Sequence, residues 1–361
     1  MPRATKPGDH ISRSYATVLS KVLIKNYRVF QDFQLVLSQG VNIIVGDNDA
    51  GKSTLLEAIN LALTGRINGN PILNELSPYL FNQEVTQRYV ADLRSGKIAV
   101  PPEIVIEVYL EDTDECASLK GTNNLCGEDC PGVRIKIVMN DDFAEEYVGY
   151  IQNPEDVRLV PTEYYKVEWL SFSGNGVTAR SIPATASLID ASEIRLQNGA
   201  DYYLQNIISS HLDPSERVEL SRAYRSLRET FAGIGAVSVV NAKLAGSRGD
   251  ISGRNLSLSI DISQKSTWER SLIPHLDELP FQYVGNGEQS SLKILLALNR
   301  KVDDCHIVLV EEPENHLSFS SLNVLIAKIA KKCEGKQVLV TTHKFVRPQQ
   351  AGLGEPGSVV A

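Results

Sequence analysis

The stretch Gly46-Asp47-Asn48-Asp49-Ala50-Gly51-Lys52-Ser53 has the types and spacing G-x-x-x-x-G-K-[ST], the pattern of a phosphate-binding loop. Its glycines let main-chain N–H groups turn inward around phosphate oxygens. The N-terminus of the helix that follows adds its dipole, and Thr54 is expected among the nucleotide-binding residues. Lys52 then supplies a point charge to β- and γ-phosphates, and Ser53 a hydroxyl to Mg²⁺. The run Ile307-Val308-Leu309-Val310-Glu311-Glu312 reads as a buried strand ending in carboxylates. Glu311 is expected to hold the ion, directly or through water. Glu312 is expected to orient or deprotonate an attacking water. His343 follows Val338–Val340, Thr341 and Thr342, at the end of a strand expected beside the first. That placement suits a γ-phosphate sensor.

A fourth feature is Val284-Gly285-Asn286-Gly287-Glu288-Gln289, ahead of an expected helix over 290–298. In isolation it is a plain helix cap. Its place ahead of the carboxylate strand gives it a second meaning, taken up below.

The elements that must hold these groups are legible in the hydrophobic spacing. β-like text is expected from Ser20 through Phe30, then a turn, then Asp32–Gly40, and a strand at Val41–Val45, directly before the loop. Residues 55–64 have helical spacing, and Gly65 suits the stop. Further strands are expected at Glu103–Leu110, Val133–Met139, Tyr165–Phe172 and Leu256–Ser263. The text between Asn123 and Gly132 is turn-forming. Helix is expected from about 200 to 231, with Pro214 at a natural start. The C-terminal block reads as a helix over 289–300, the acidic strand, a helix over 318–333 and a last strand to His343. The segment 66–100 is mixed.

Hydrophobic residues make up 42% of the chain and charged residues 22%, as in folded globular proteins. The 361 residues suffice for a large core without disulfides or metals. With 36 basic and 44 acidic residues the net charge is −8. This argues against coating nucleic acid by bulk charge and leaves a local basic patch open. No apolar run approaches the roughly 20 residues that span a bilayer, and residues 1–15 lack an apolar signal core. The expectation is a cytoplasmic protein with no membrane partner. The five cysteines fit a reducing compartment. Cys116, Cys126 and Cys130 lack a nearby fourth ligand, so no zinc site is expected.

The four chemical features, in this order, resemble the ABC-type ATPase head. The resemblance implies an α/β P-loop NTPase with a mixed sheet and a helical insertion, using ATP and Mg²⁺. It implies that the loop 285–289 reaches across a homodimer to the partner's ATP, so that Asn286, Gly287 and Gln289 help bind nucleotide. Gln289 matches the last residue of the family's L-S-G-G-Q. Asn286 stands where serine is usual and Glu288 where the second glycine is usual. The sequence LIKNYRVF (Leu23–Phe30) and the long gap before the signature are more like the RecF, SMC and Rad50 branch. In that branch the arginine of NYR, here Arg28, approaches the nucleotide; a solvated strand residue is the alternative.

A closer resemblance is to the ATPase domain of OLD-family (overcoming lysogenization defect) ATP-dependent endonucleases. It rests on GNGEQSSLKILLAL, VLVEEPENHL and VLVTTH. It implies an ATPase domain over 16–343, with an N-terminal half (16–115), an inserted β/helical region (116–275) and a signature and Walker B half (276–343), beyond a flexible 1–15. The family continues into a Toprim nuclease domain, which this chain is expected to lack. After TTH the family reads SSFVLNKLGL, where this chain reads KFVRPQQAGL. Codons for Lys344–Leu353 read one base later permit the family sequence. Residues 344–361 are therefore expected to be a disordered, frameshifted tail. The resulting expectation is ATP hydrolysis by a module of an OLD-type DNA endonuclease of phage defence or DNA repair. The alternatives are a RecF/SMC-like DNA-clamping ATPase and a nucleotide-binding remnant. A transporter ATPase fits less well, since its insertion pattern differs.

Overall fold

The computed structural model describes residues 18–47, 49–190, 212–232, 234–246, 268, 273, 275–301, 305–315, 317–343 and 358–360. The expectations for residues 1–15, Asn48, the helix before 212, the strand Leu256–Ser263 and most of the tail lie outside them. By contact the chain divides into two units, residues 1–191 with 290–361, and residues 192–289.

The first unit holds two sheets. Strands β1 (Leu19–Tyr27) and β2 (Phe30–Val36) form an antiparallel hairpin. Strand β3 (Val41–Val45) leads through the glycine loop into α1 (Lys52–Thr64). A small hairpin, β4 (Arg66–Ile67) and β5 (Asn70–Pro71), precedes α2 (Gln83–Arg94). Then come β6 (Ile104–Leu110), β7 (Lys120–Gly121), β8 (Cys130–Met139), α3 (Ala144–Ile151), β9 (Tyr165–Ser171) and β10 (Ala186–Asp190). One sheet is antiparallel, in the order β2-β1-β6-β8-β7, with β9 on β8.

The other sheet takes β3 and β10 together with β13 (Ile307–Glu311) and β14 (Gln337–Thr342), which flank α7 (Phe319–Lys332) in sequence. This sheet is parallel, in the order β10-β13-β14-β3, with β15 (Ser358–Val360) on the outer edge of β3. At those three residues the expected unstructured tail meets a strand. The short apolar runs of β3, β13 and β14 suit a parallel sheet covered on both faces.

Helix α1 explains how the sheets are joined. It buries residues around its whole circumference, including Leu55, Leu56, Ile59, Leu61 and Leu63. A helix apolar all round belongs in a core. It packs against β6 and β8 on one side and β10, β13 and β14 on the other. Each fully buried leucine or isoleucine contributes about 1.5–3 kcal/mol. Gly65 ends it in the left-handed region (φ 67°). A Cβ there would lie 2.6 Å from the Trp169 ring, and Trp169 Nε1 donates to Ala62 O at 2.9 Å. A buried glutamine also ties the sheets. Gln337 of β14 receives Leu19 N–H and donates to the carbonyls of Leu19 and Ser38.

The second unit contains α4 (Pro214–Ala232), α5 (Gly235–Gly246), the two-residue strands β11 (His275–Leu276) and β12 (Leu279–Pro280), and the start of α6 (Asn286–Lys301). Trp268 Nε1 donates to Ser221 Oγ on α4 at 3.0 Å. Among the described residues, no helix is long and apolar enough to cross a membrane.

Candidate functional site: the phosphate loop and the ends of the parallel sheet

The loop after β3 is shaped by residues with positive φ, Asp49 (64°) and Gly51 (89°). Only glycine fits at 51. A Cβ would lie 2.6 Å from Val29 Cγ2 and 2.7 Å from Phe30 Cζ. Gly46 N–H donates to Thr342 O at 3.4 Å, and Ala50 N–H to Asp47 O at 3.3 Å. Leu55 N–H donates to Gly51 O at 2.9 Å and opens α1. No side chain caps that end, so its N–H groups face the loop. Ser53 is exposed on the first turn and Thr54 is buried.

Lys52 is 5% exposed. Its Nζ donates to Gly46 O at 2.9 Å and Asp47 O at 2.8 Å, and lies 2.9 Å from His343 Nδ1. Glu312 Oε1 is 4.0 Å away. His343 Nε2 lies 2.6 Å from Glu312 Oε1. Lysine only donates, so Nδ1 accepts from it, and the matching tautomer carries its proton on Nε2 and gives it to Glu312. Gly46 O stands 3.2 Å from the same Nδ1. Thus Lys52, Glu312 and His343, far apart in the chain, form one contact set at the loop.

The parallel register produces this set. Glu311, the last residue of β13, is opposite Thr341 of β14 and Asp190 of β10. Glu312 leaves the strand with φ 39°, a left-handed conformation that non-glycine residues keep mostly at functional sites. Its N–H donates to Thr341 O at 3.1 Å, which holds the turn. Two residues on, Glu314 reaches back to β14. Its Oε1 accepts from Thr342 Oγ1 at 2.8 Å and from His343 N–H at 2.5 Å.

The groups suited to Mg²⁺ are the Ser53 hydroxyl and the Glu311 carboxylate. Both are hard oxygen donors, and Mg²⁺ takes one or two such protein ligands while keeping its waters. The donor chemistry fits.

Arg28 occupies a turn beside the loop, with φ 48°. Its guanidinium pairs with Glu57 of α1 at 2.9 Å, and the hydroxyl of Tyr27 donates to the same carboxylate. Burial and the Glu57 charge push the Tyr27 phenol far above its ordinary range. Arg28 also lines a cleft of about 1060 Å³ with Val29, Tyr79, Asn82, Gln87 and Arg94. The arginine directly precedes the two residues that crowd Gly51, and a carboxylate of the loop's own helix holds it.

Asn286, Gly287 and Gln289 lie in the second unit. The expected loop over 285–289 is corrected here: α6 begins at Asn286, so these residues form its first turn. Gln289 N–H donates to Gly285 O at 3.0 Å, closing that turn. Gln289 Nε2 also donates back to Val284 O at 2.7 Å.

Sequence reasoning missed Glu314, Glu57 and the strand end at Asp190. A carboxylate two residues past Glu312 is a visible signal, but its partners at 342 and 343 emerge only when β13 and β14 pair.

A β-strand, a glycine loop, a helix and an acid-bearing strand two places along a parallel sheet define a P-loop NTPase head of the α/β class, with the mixed sheet arrangement and helical insertion expected of the ABC type. The chain belongs to the family described as "AAA domain, putative AbiEii toxin, Type IV TA system", which matches residues 150–344. A second AAA domain family matches residues 21–125. Over 49 residues the chain is 43% identical to the DNA double-strand break repair Rad50 ATPase of Methanopyrus kandleri, covering 14% of this chain and 6% of that protein. Over 61 residues it is 43% identical to the DNA replication and repair protein RecF of Actinobacillus pleuropneumoniae, covering 17% of each. The match therefore spans a small part of these relatives. Among solved structures, RecF-ATPrS of the RecFOR pathway aligns with a TM-score of 0.44 and 12% identity, covering 92% of this chain and 94% of that one. The Smc head bound to the C-winged helix domain of ScpA aligns with a TM-score of 0.43 and 14% identity, covering 91% and 90%.

Proposed function

We propose that this site binds ATP with Mg²⁺ and hydrolyses it, within an ATP-sandwiched homodimer that serves an OLD-type DNA endonuclease in the cytoplasm. The observation that carries the hydrolytic reading is the contact of Glu312 with His343 and Lys52 at the mouth of the phosphate loop. Phosphate oxygens replace the carbonyls that Lys52 now holds. Ser53 and Glu311 would hold Mg²⁺, which would supply charge neutralisation at the phosphates. Glu312 accepts the proton of the attacking water as the γ-phosphoryl group leaves ADP. His343, held by Glu312 through Nε2, keeps that carboxylate aimed and senses the γ-phosphate. Asn286, Gly287 and Gln289 act on the partner's nucleotide, and Arg28 on the nucleotide of its own copy once it leaves Glu57.

A second reading, a RecF/SMC-like DNA-clamping ATPase, is favoured by the local identity to RecF and Rad50 sequences. Both readings are tested by Mg²⁺-dependent ATP turnover of the purified chain, with and without DNA, beside Glu312→Gln. The variant should keep ATP binding and lose turnover by about 10²–10⁴-fold, the range for a removed general base. DNA that stimulates turnover without being cut by the assembled protein favours the clamp. ATP bound without turnover in the parent would leave only a nucleotide-binding remnant.

A further inference from the structure

We propose that Glu314 is a positioning residue for hydrolysis: its buried carboxylate sets where His343 stands, and through His343 where Glu312 points. The proposal rests on the ATPase reading of the site.

Glu314 is 5% exposed. It is one turn beyond β13, yet its Oε1 holds the last residue of β14 and the one after it, through the Thr342 hydroxyl at 2.8 Å and the His343 N–H at 2.5 Å. The main chain already joins the two strand ends, since Glu312 N–H donates to Thr341 O. Glu314 adds a second tie one step further along, at the point where β14 stops and His343 turns toward the loop. His343 then has its backbone fixed by Glu314 and its ring fixed at both nitrogens, by Lys52 at 2.9 Å and Glu312 at 2.6 Å. With its backbone fixed, the ring can act as a rigid spacer between the phosphate-binding lysine and the water-activating carboxylate. A hydrogen bond to a charged acceptor is among the stronger ones.

The second observation concerns the other oxygen. Glu314 Oε2 is buried without a hydrogen-bond partner among the described residues. Leaving such an atom unpaired costs the fold, and an uncharged, fully paired side chain would pack there at less expense. The same residue also shapes the following chain, since Leu317 N–H donates to Glu314 O at 2.8 Å. Glu314 thereby links the segment after the acidic strand to the histidine, in addition to the parallel ladder.

The test is a double-mutant cycle on the full chain, read as kcat and KM for ATP. Glu314→Ala should lower kcat by about 10–100-fold with KM moving less than about threefold, the pattern of an interaction used mainly in the transition state. Glu314→Gln, which keeps a carbonyl acceptor for both donors, should recover most of that loss. In a His343→Ala background, Glu314→Ala should cost less than about threefold more, because the two act as one unit. Thermal melts of each variant separate misfolding from misplacement, and Glu314→Gln keeps the test usable if Glu314→Ala fails to fold. Additive losses in the cycle, or a Glu314→Gln variant as slow as Glu314→Ala, would overturn the proposal. If the parent itself shows no turnover sensitive to Glu312→Gln, the ATPase reading fails first. If that sensitivity is present and Glu314→Ala is unaffected, this inference fails alone.

Discussion

Glu107 and Glu314 are both buried carboxylates, 0% and 5% exposed, and their surroundings treat them differently. Glu107 stands in the middle of β6. Ile104, Ile106, Val108 and Leu110 of that strand join the core around α1, so Glu107 and Tyr109 face the opposite side. There the loop after β7 folds over them. Leu125 N–H bonds both oxygens of Glu107, at 2.9 and 3.0 Å, and the Tyr109 hydroxyl donates at 2.8 Å. Arg134 lies 3.9 Å away. Every acceptor is used, and the product is a loop sewn to a sheet. Glu314 pairs one oxygen, and the other has no partner among the described residues, at the end of the parallel sheet and close to Glu312 with its left-handed backbone. The contrast teaches how to sort buried charge. Glu107 holds a loop to a sheet, whereas Glu314 holds the backbone of His343 beside the phosphate loop.

That contrast can be broken by experiment. The largest effect is expected on the parallel-sheet side: Lys52→Ala should reduce ATP turnover by at least about 100-fold while the denaturation midpoint stays near the parent's. A large loss of stability with it would make Lys52 part of the framework and blur the distinction. Next, Glu107→Ala should cost about 1–3 kcal/mol of stability, because it removes the acceptor of the Leu125 N–H and the shorter of the two that the Tyr109 hydroxyl reaches. Turnover per folded molecule should stay within about twofold. Impaired catalysis at full stability would assign the antiparallel sheet a role in the chemistry.

The smallest effect sharpens the contrast through pH. Burial raises the Glu107 carboxyl above its ordinary 4.5, with Leu125 N–H, Tyr109, Arg134 and Lys21 pulling the other way. A folded state that holds this proton more tightly than the unfolded chain gains stability below that ordinary value and loses it as pH rises through the raised one. The denaturant midpoint of the parent relative to Glu107→Gln should therefore fall between about pH 4.5 and the raised value, then level. A difference that is flat across this range would show that the clasp offsets its desolvation completely.

Much of the site was legible because its motifs are local. Gly46–Ser53 and Ile307–Glu312 each carry strand, turn and chemistry within a few residues. Pairing was harder to read. The contacts of Glu314 with 342 and 343, and of Arg28 with Glu57, join residues 28 to 29 positions apart and arise only after helix and strands pack. Helix α2 was hidden in the mixed 66–100 segment. Its buried stripe, Thr86, Tyr89, Val90 and Leu93, has helical spacing but is short and flanked by polar residues, and Asn82 caps it with hydrogen bonds to Glu84 and Val85 N–H. The start of α6 was placed too late because glycines at 285 and 287 read as loop; the turn closed by Gln289 overrides that propensity.

The indole of Trp169 has a further consequence. It leans on the glycine that ends α1 and bonds the carbonyl of Ala62, while the other end of that helix is the phosphate loop. The chain's other tryptophan, Trp268, sits in the second unit with its N–H on Ser221. The far end of the nucleotide-loop helix thus rests against a fluorophore on β9, and removing Trp268 leaves a tryptophan emission that reports on that contact.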